Sequence, residues 1–120
     1  MDCDDGEFGP HLAAIRASVL AGFRFLRLPE YGDVLALYAF REDRGAMDTY
    51  LARGPDDATA ARYRLDDLDR VDPPALWHRH GCVADVVTAL LELPPHGFAL
   101  APRIATVPPS QLWTPRMAWS

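Results

Sequence analysis

The chain contains no lysine and no asparagine, and all 12 residues of the lysine and arginine class are arginine. The absence of lysine excludes Schiff-base catalysis, a lysine general base and a phosphate-binding loop that ends in lysine. Because lysine and asparagine are encoded by A-rich codons, their absence indicates a genome rich in G and C, as actinobacterial genomes are.

Several motifs that mark enzymes and nucleic-acid-binding proteins are also missing. The sequence has no G-x-S-x-G turn, no G-x-G-x-x-G turn and no H-E-x-x-H helix. The net charge is −5, and the arginines are scattered. Affinity for phosphates depends on clustered positive charge, so nucleic acid is excluded as an expected partner. The composition favours a non-enzymatic protein.

Two features of the sequence bear on the cellular compartment: cysteine is scarce, and no long apolar run is present. No stretch reaches the ~20 apolar residues needed to span a bilayer, so no membrane association is expected. The N-terminus is acidic, unlike that of a secretory signal. The two cysteines, Cys3 and Cys82, are expected to be reduced, without a structural disulfide. The prediction is a cytoplasmic protein.

Length and patterning predict the domain organisation. The 120 residues, 49% of them hydrophobic, suffice for a single domain over 1–120. Residues 1–8 are expected to be a mobile acidic N-terminus, and the proline-rich residues 97–120 an extended tail.

Hydrophobic periodicity predicts two helices, over residues 10–21 and 83–93. In the first helix, Leu12, Ile15 and Val19 recur at spacings of three and four and are expected to form the buried stripe. Alternating or apolar runs predict strands between the helices, and the least clear of them, 58–64, is read as a turn followed by a strand. The predicted strands cover residues 23–28, 34–41, 46–53, 58–64 and 75–80. The predicted fold class is α+β, an antiparallel β-meander of four to five strands packed against two helices on one face.

The densest cluster of reactive side chains lies around the last strand. Strand periodicity places His78, His80 and, at the end, Cys82 on one face. His96 or His11 would complete a tetrahedral zinc site, although the spacing matches no common zinc motif. Alternatively, Cys82 at a helix start is a reactive thiol. The simpler interpretation is exposed histidines and a packed cysteine, with no cofactor.

The positions of Asp48 and of the aromatic residues in the strands can also be predicted. Asp48 lies inside a predicted strand, and a water-facing edge position explains it most simply. Strand aromatics either form plain core or line a small-ligand pocket, and the pocket would comprise Phe25, Tyr38, Phe40, Tyr50 and Trp77.

The tail is the predicted recognition element. Prolines stiffen an extended segment, and tryptophan is enriched among interface hot spots. Leu112, Trp113 and Trp119 are therefore the candidate partner-binding residues. The alternative is that the segment around Leu112 and Trp113 folds back over its own sheet, since exposed aromatics reduce solubility.

A set of segments spread over most of the chain resembles small proteins of unassigned function that are common in actinobacterial genomes. These segments are Gly22-Phe23-Arg24-Phe25, the strand from Leu37 to Phe40, the strand with Asp48, Leu76-Trp77-His78 before Gly81, the helix from Val83 to Leu91, and Leu112-Trp113-Thr114-Pro115. The layout is also similar to that of small acidic immunity proteins that neutralise toxins.

These observations predict a non-enzymatic cytosolic protein-interaction module, such as an adaptor, a regulator or an antitoxin-like partner. It would bind another protein through a sheet edge, the acidic loops or the tail, and a homodimer that covers the sheet edges is a further expectation. The alternative is a zinc-binding or thiol-dependent enzyme centred on His78, His80 and Cys82.

Overall fold

A five-stranded sheet with two helices forms the part of the chain that the computed structural model describes, residues 9–29 and 35–104. The elements follow one another along the chain as helix, five strands and helix. Their bounds are α1 Gly9–Leu20, β1 Arg24–Pro29, β2 Leu35–Asp43, β3 Ala46–Gly54, β4 Asp57–Arg64, β5 Trp77–Gly81 and α2 Val83–Glu92, with a short 3-10 turn at Leu65–Asp67.

The strands form an antiparallel meander in the order β1-β2-β3-β4-β5. β3 is therefore the central strand, and β1 and β5 are the edges. This arrangement confirms the predicted α+β class. Asp57–Arg64 is a strand throughout, whereas a turn followed by a strand was expected over 58–64.

The turn between β2 and β3 is set by two residues with positive φ. Arg44 has φ 54° and Gly45 has φ 87°, the combination required by the tight turns that match the twist of a hairpin. Glycine adopts this conformation without steric cost. Arg44 is the one non-glycine residue with positive φ in the described chain. The turn fixes the register so that Arg41 lies opposite Asp48.

The main core lies between the sheet and α2. Tyr50, Ala39 and Ala60 are fully buried on the sheet face that α2 covers, where Val86, Val87 and Leu90 pack against them. The alanines are small, and this allows the helix backbone to approach the sheet closely. The apolar face of the amphipathic helix α2 therefore packs on the sheet, as the sequence predicts.

The buried face of α1 differs from the predicted stripe. The buried residues are His11, Ala14 and Ser18, whereas Leu12 is 51% and Val19 52% exposed. Small and polar side chains are buried because α1 packs closely against α2 and because His11 and Ser18 make specific hydrogen bonds there. The prediction that Leu12 and Val19 belong to the buried face was therefore wrong.

Two clusters of side chains are also buried on the opposite sheet face. Tyr38 and Ala36 on β2 and Leu51 on β3 form one cluster, and Tyr63 on β4 forms another with Ala75. The apolar run of β2 predicts cover on both faces, and the burial of Tyr38 and Ala39, which point to opposite faces, confirms it.

The chain after α2 turns rather than extends in its described part. Backbone hydrogen bonds close turns from Pro95 to Phe98 and from Phe98 to Ala101, and Gly97 has φ 93°. Residues 97–101 thus contain turns, and most of the predicted extended tail, residues 105–120, lies outside the described residues. Among residues 9–29 and 35–104, no helix has the length and apolar character needed to cross a membrane.

Candidate functional site

The edge strand β5 carries the residues singled out from the sequence. His78, Arg79 and His80 are all exposed. His78 and His80 lie on one face and Arg79 on the other, as strand periodicity predicts. The Nε2 atom of His80 lies 3.1 Å from Oδ1 of Asp57 on β4. The three side chains are therefore accessible along the outermost strand.

Cys82 does not provide a reactive thiol. It is 5% exposed, it occupies the residue before α2, and its sulfur is disulfide-bonded. The prediction that the cysteines are reduced was wrong for Cys82, and so was the thiolate hypothesis, because a sulfur in a disulfide bears no nucleophilic thiolate. The sequence contains one other cysteine, Cys3, which lies outside the described residues.

The four residues proposed as zinc ligands are not brought together. His78 and His80 lie on β5, whereas the ring of His96 lies beside Gly45 in the β2–β3 turn. Among residues 9–29 and 35–104, no group of three or more histidine, cysteine, aspartate or glutamate side chains has an arrangement that would hold a metal. Zinc binding stays a prediction without a geometric basis.

The candidate recognition residues of the tail lie outside the described residues. These are Leu112, Trp113 and Trp119.

A buried ionic cluster occupies the helix-facing side of the sheet centre. Arg62 donates from Nε to Oδ1 of Asp48 at 2.6 Å and from Nη2 to Oδ2 at 3.0 Å. Arg41 donates to Oδ2 of the same carboxylate at 3.2 Å. Asp48 is 3% exposed on the central strand, so the expectation of a water-facing edge position was wrong.

A β-bulge is the physical reason for this pairing. Next to the β3–β4 turn, Gly54 pairs with Asp57, but the register shifts by one residue between Ala52 and Gly54. The shift places Asp48 opposite Arg62 instead of Tyr63. Because one residue of slip moves a strand's side chains to the other face relative to its partner, the bulge decides whether the carboxylate meets a cation.

The remaining donors of the two arginines anchor neighbouring segments. Arg62 donates from Nη1 to the carbonyl of Pro94, just after α2, at 2.6 Å. Arg41 donates from Nη1 to the carbonyl of Ala21, just after α1, at 2.9 Å, and its guanidinium lies 4.8 Å from the ring centre of Phe23. The cluster thus joins the ends of both helices to the sheet, which is a structural role.

His11 joins the two helices. The backbone N–H of Ala84, in the first turn of α2, donates to Nδ1 of His11 at 3.1 Å. This hydrogen bond satisfies one of the N–H groups that a helix start leaves without an intrahelical partner. Since Nδ1 accepts, the proton of the neutral ring is on Nε2. Nε2 is buried, and no described residue forms a hydrogen bond with it. The sequence offered His11 only as a metal ligand, and the capping role carries no sequence signature.

Three buried tyrosines have hydroxyl groups in different environments. The Tyr50 hydroxyl hydrogen-bonds to the Ser18 hydroxyl at 2.8 Å, and burial raises the pKa of Tyr50 to about 12. Burial also raises the pKa of Tyr63, whose hydroxyl has no hydrogen-bond partner in the described part of the chain. Burial is the main cause of the raised pKa of Tyr38. All three side chains remain neutral at neutral pH.

The five aromatics proposed as a common pocket are divided between the two sheet faces. Phe25, Tyr50 and Trp77 belong to the core under the helices. Tyr38 and Phe40 lie on the opposite face, where their rings stack at 5.7 Å. The aromatic pocket was therefore wrong.

No protein-family model, no curated protein and no solved structure matches this chain. Function is therefore inferred from the geometry of its own residues.

Proposed function

We propose that this protein is a non-enzymatic interaction module that binds an acidic, extended segment of another protein along β5. The observation that carries the proposal is the exposure of His78, Arg79 and His80 on the outermost strand of the sheet. Arg79 places a positive charge on this edge in a chain whose net charge is −5.

An edge strand offers a row of backbone donors and acceptors to an added strand. β5 ends the strand order, and β4 is its neighbour within the sheet. Its five residues span about 16 Å at roughly 3.3 Å per residue. Such a length suits a short peptide segment, and its backbone hydrogen bonds would supply affinity independent of the partner's sequence.

The side chains of β5 would supply selectivity by charge. Trp77–Gly81 contains no carboxylate. Arg79 lies opposite Ala60, and within the described chain it forms no ion pair. Its charge is therefore available to a carboxylate on an added strand. Opposite charges on adjacent strands stabilise pairing, and like charges destabilise it.

A second copy of the chain fits this edge less well. Two β5 strands paired antiparallel about Arg79 would place the two guanidinium groups opposite each other, which is destabilising. The shared net charge of −5 per copy adds repulsion between the copies. A homodimer is kept as an outcome of the test below.

The test uses a synthetic peptide of alternating glutamate and valine, with a glutamine-for-glutamate peptide as its neutral match. Binding to the isotope-labelled full chain is followed by NMR. We expect amide shifts concentrated at Trp77–Gly81, and roughly tenfold weaker binding for Arg79→Glu. Arg16→Glu, an exposed change on α1, is the matched control and should bind as the unmodified chain does.

Three results would count against the proposal. They are equal binding of the two peptides, shifts located away from β5, and unchanged binding by Arg79→Glu. Light scattering coupled to size-exclusion chromatography gives the oligomeric state in the same samples. A dimer that Arg79→Glu disrupts would assign β5 to self-association instead.

A further inference from the structure

A groove with a volume of about 390 Å³ lies on the helix-facing side of the sheet. The first half of α1, with Leu12 and Ile15, forms one wall. β1, β2 and β3 form the floor, with Leu37 at its centre, and Val83 at the start of α2 closes one end. This volume is in the range of small-molecule sites, roughly 300–1,000 Å³.

The groove arises from a difference between two rows of side chains across the sheet. Under the second half of α1, the row contains Phe25, Ala39 and Tyr50. Tyr50 fills the space there and reaches Ser18 of the helix. Under the first half, the row contains Arg27, Leu37 and Ala52. Ala52 stands where the other row has tyrosine, so the side chains of the described residues leave space between helix and sheet.

The groove has apolar walls and an exposed arginine, Arg27, at its rim. Arg27 lies at its β1 side and is exposed, and Arg53 lies at its β3 side. No aspartate or glutamate of the described residues lines it. Arg27 pairs with no carboxylate in the described chain. The electrostatic complement of this surface is a single negative charge attached to an apolar body.

His11 also lines the groove, and both of its ring nitrogens have defined surroundings. The residue lines the groove and is 4% exposed. Its Nδ1 accepts a hydrogen bond from the N–H of Ala84, and no group of residues 9–29 and 35–104 accepts one from its Nε2. A buried donor without an acceptor is costly to the protein.

We propose that this groove binds a small monocarboxylate with an unbranched apolar chain, of the size of a medium-chain fatty acid. The apolar chain lies between Leu12 and Ile15 on one side and Leu37 on the other. The carboxylate lies at the rim and accepts charge-assisted hydrogen bonds from Arg27. This site is separate from β5 and does not depend on the function proposed above.

The test is calorimetric titration of the full chain with decanoate, with decanol as the neutral match of equal chain length. We expect saturable binding of one decanoate per chain and at least tenfold weaker binding of decanol. Arg27→Gln should weaken decanoate binding by about tenfold and leave decanol unchanged, because it removes only the charge. Arg16→Gln, an exposed change outside the groove, should bind decanoate normally.

A second variant tests the location. Ala52→Leu places a larger side chain in the groove floor and should weaken decanoate and decanol alike. Circular dichroism identifies any loss of fold in this variant. If the fold is lost, the binding of decanoate and decanol by Arg27→Gln remains the test. The proposal is overturned if decanoate does not bind saturably, if decanol binds equally well, or if Arg27→Gln binds decanoate as the unmodified chain does.

Discussion

Arg62 and Asp48 lie opposite each other on β4 and β3, and two hydrogen bonds of 2.6 and 3.0 Å join guanidinium and carboxylate. Both side chains are almost completely buried. A bidentate pair of this kind recovers much of the desolvation cost of two charges, but only while both partners are present. The pair therefore specifies the β3–β4 register more than it adds stability.

Removing one partner of the pair should be severely destabilising. Asp48→Ala leaves the buried Arg62 guanidinium without its counter-ion, and we expect a loss of about 3–5 kcal/mol in the free energy of unfolding. Chemical denaturation monitored by circular dichroism measures it. Asp57→Ala is the matched control, because Asp57 pairs with His80 at the exposed surface and such pairs contribute about 1 kcal/mol or less. Equal losses in the two variants would contradict the structural role of Asp48.

Two tyrosine-to-phenylalanine substitutions should have different effects on stability. Tyr50→Phe removes a hydrogen bond and leaves the Ser18 hydroxyl without its tyrosine partner, at an expected cost of about 1 kcal/mol. Tyr63→Phe removes a buried hydroxyl that has no hydrogen-bond partner among the described residues, so stability should be unchanged or slightly higher. Denaturation midpoints of the two variants decide the matter, and a larger loss for Tyr63→Phe would show that its hydroxyl is hydrogen-bonded in solution.

Alkaline pH should destabilise the fold through the same tyrosines. The pKa of Tyr50 is raised by burial from 10.0 to about 12, so between these values the unfolded state has lost a proton that the folded state retains. Stability is complete below pH 10 and should fall by about 1.4 kcal/mol per pH unit for this one group as pH rises towards 12.

The measurement is urea denaturation at pH 8, 10 and 11, with tyrosine ionisation followed by absorbance. Ionisation and unfolding should occur together, and Tyr50→Phe should show a smaller pH dependence than the unmodified chain. A pH-independent midpoint would contradict the raised pKa.

The oxidation state of Cys82 can be read directly by mass spectrometry. Its sulfur is disulfide-bonded, so a peptide containing Cys82 should resist alkylation in denaturant without a reductant. The same peptide should gain one alkyl group after reduction. Denaturant is required because Cys82 is buried. Alkylation before reduction would restore the prediction of a reduced cysteine and, with it, the argument from cysteine for a cytoplasmic location.

The order and type of the elements could be predicted from periodicity and turn residues. The apolar spacing of Val83, Val86 and Leu90 predicts α2, and Gly45 predicts the β2–β3 turn; both are observed. Periodicity was less informative for α1, because alanines separate its apolar residues. Its buried face is chosen by the hydrogen bonds of His11 and Ser18, which are specific to the tertiary structure.

The surroundings of the charged residues could be predicted only in part. A tight turn at Gly45 places Arg41 opposite Asp48, and hairpin counting from the sequence could have found this pair. Counting from the β3–β4 turn gives Tyr63 as the partner of Asp48, because the bulge before Gly54 leaves no clear mark in the sequence. The groove depends on the height of α1 above the sheet, which periodicity does not report.

The meander has a consequence for the rate and order of folding. The β2–β3 and β3–β4 pairs are joined by turns of two residues, Arg44-Gly45 and Pro55-Asp56, whereas β5 follows β4 only after residues 65–76. Local pairs close quickly, and longer loops cost more entropy before they gain contacts. We therefore expect the hairpins of β2, β3 and β4 to form a folding nucleus and β5 to join last. In hydrogen exchange, β5 should then be the first of these strands to open.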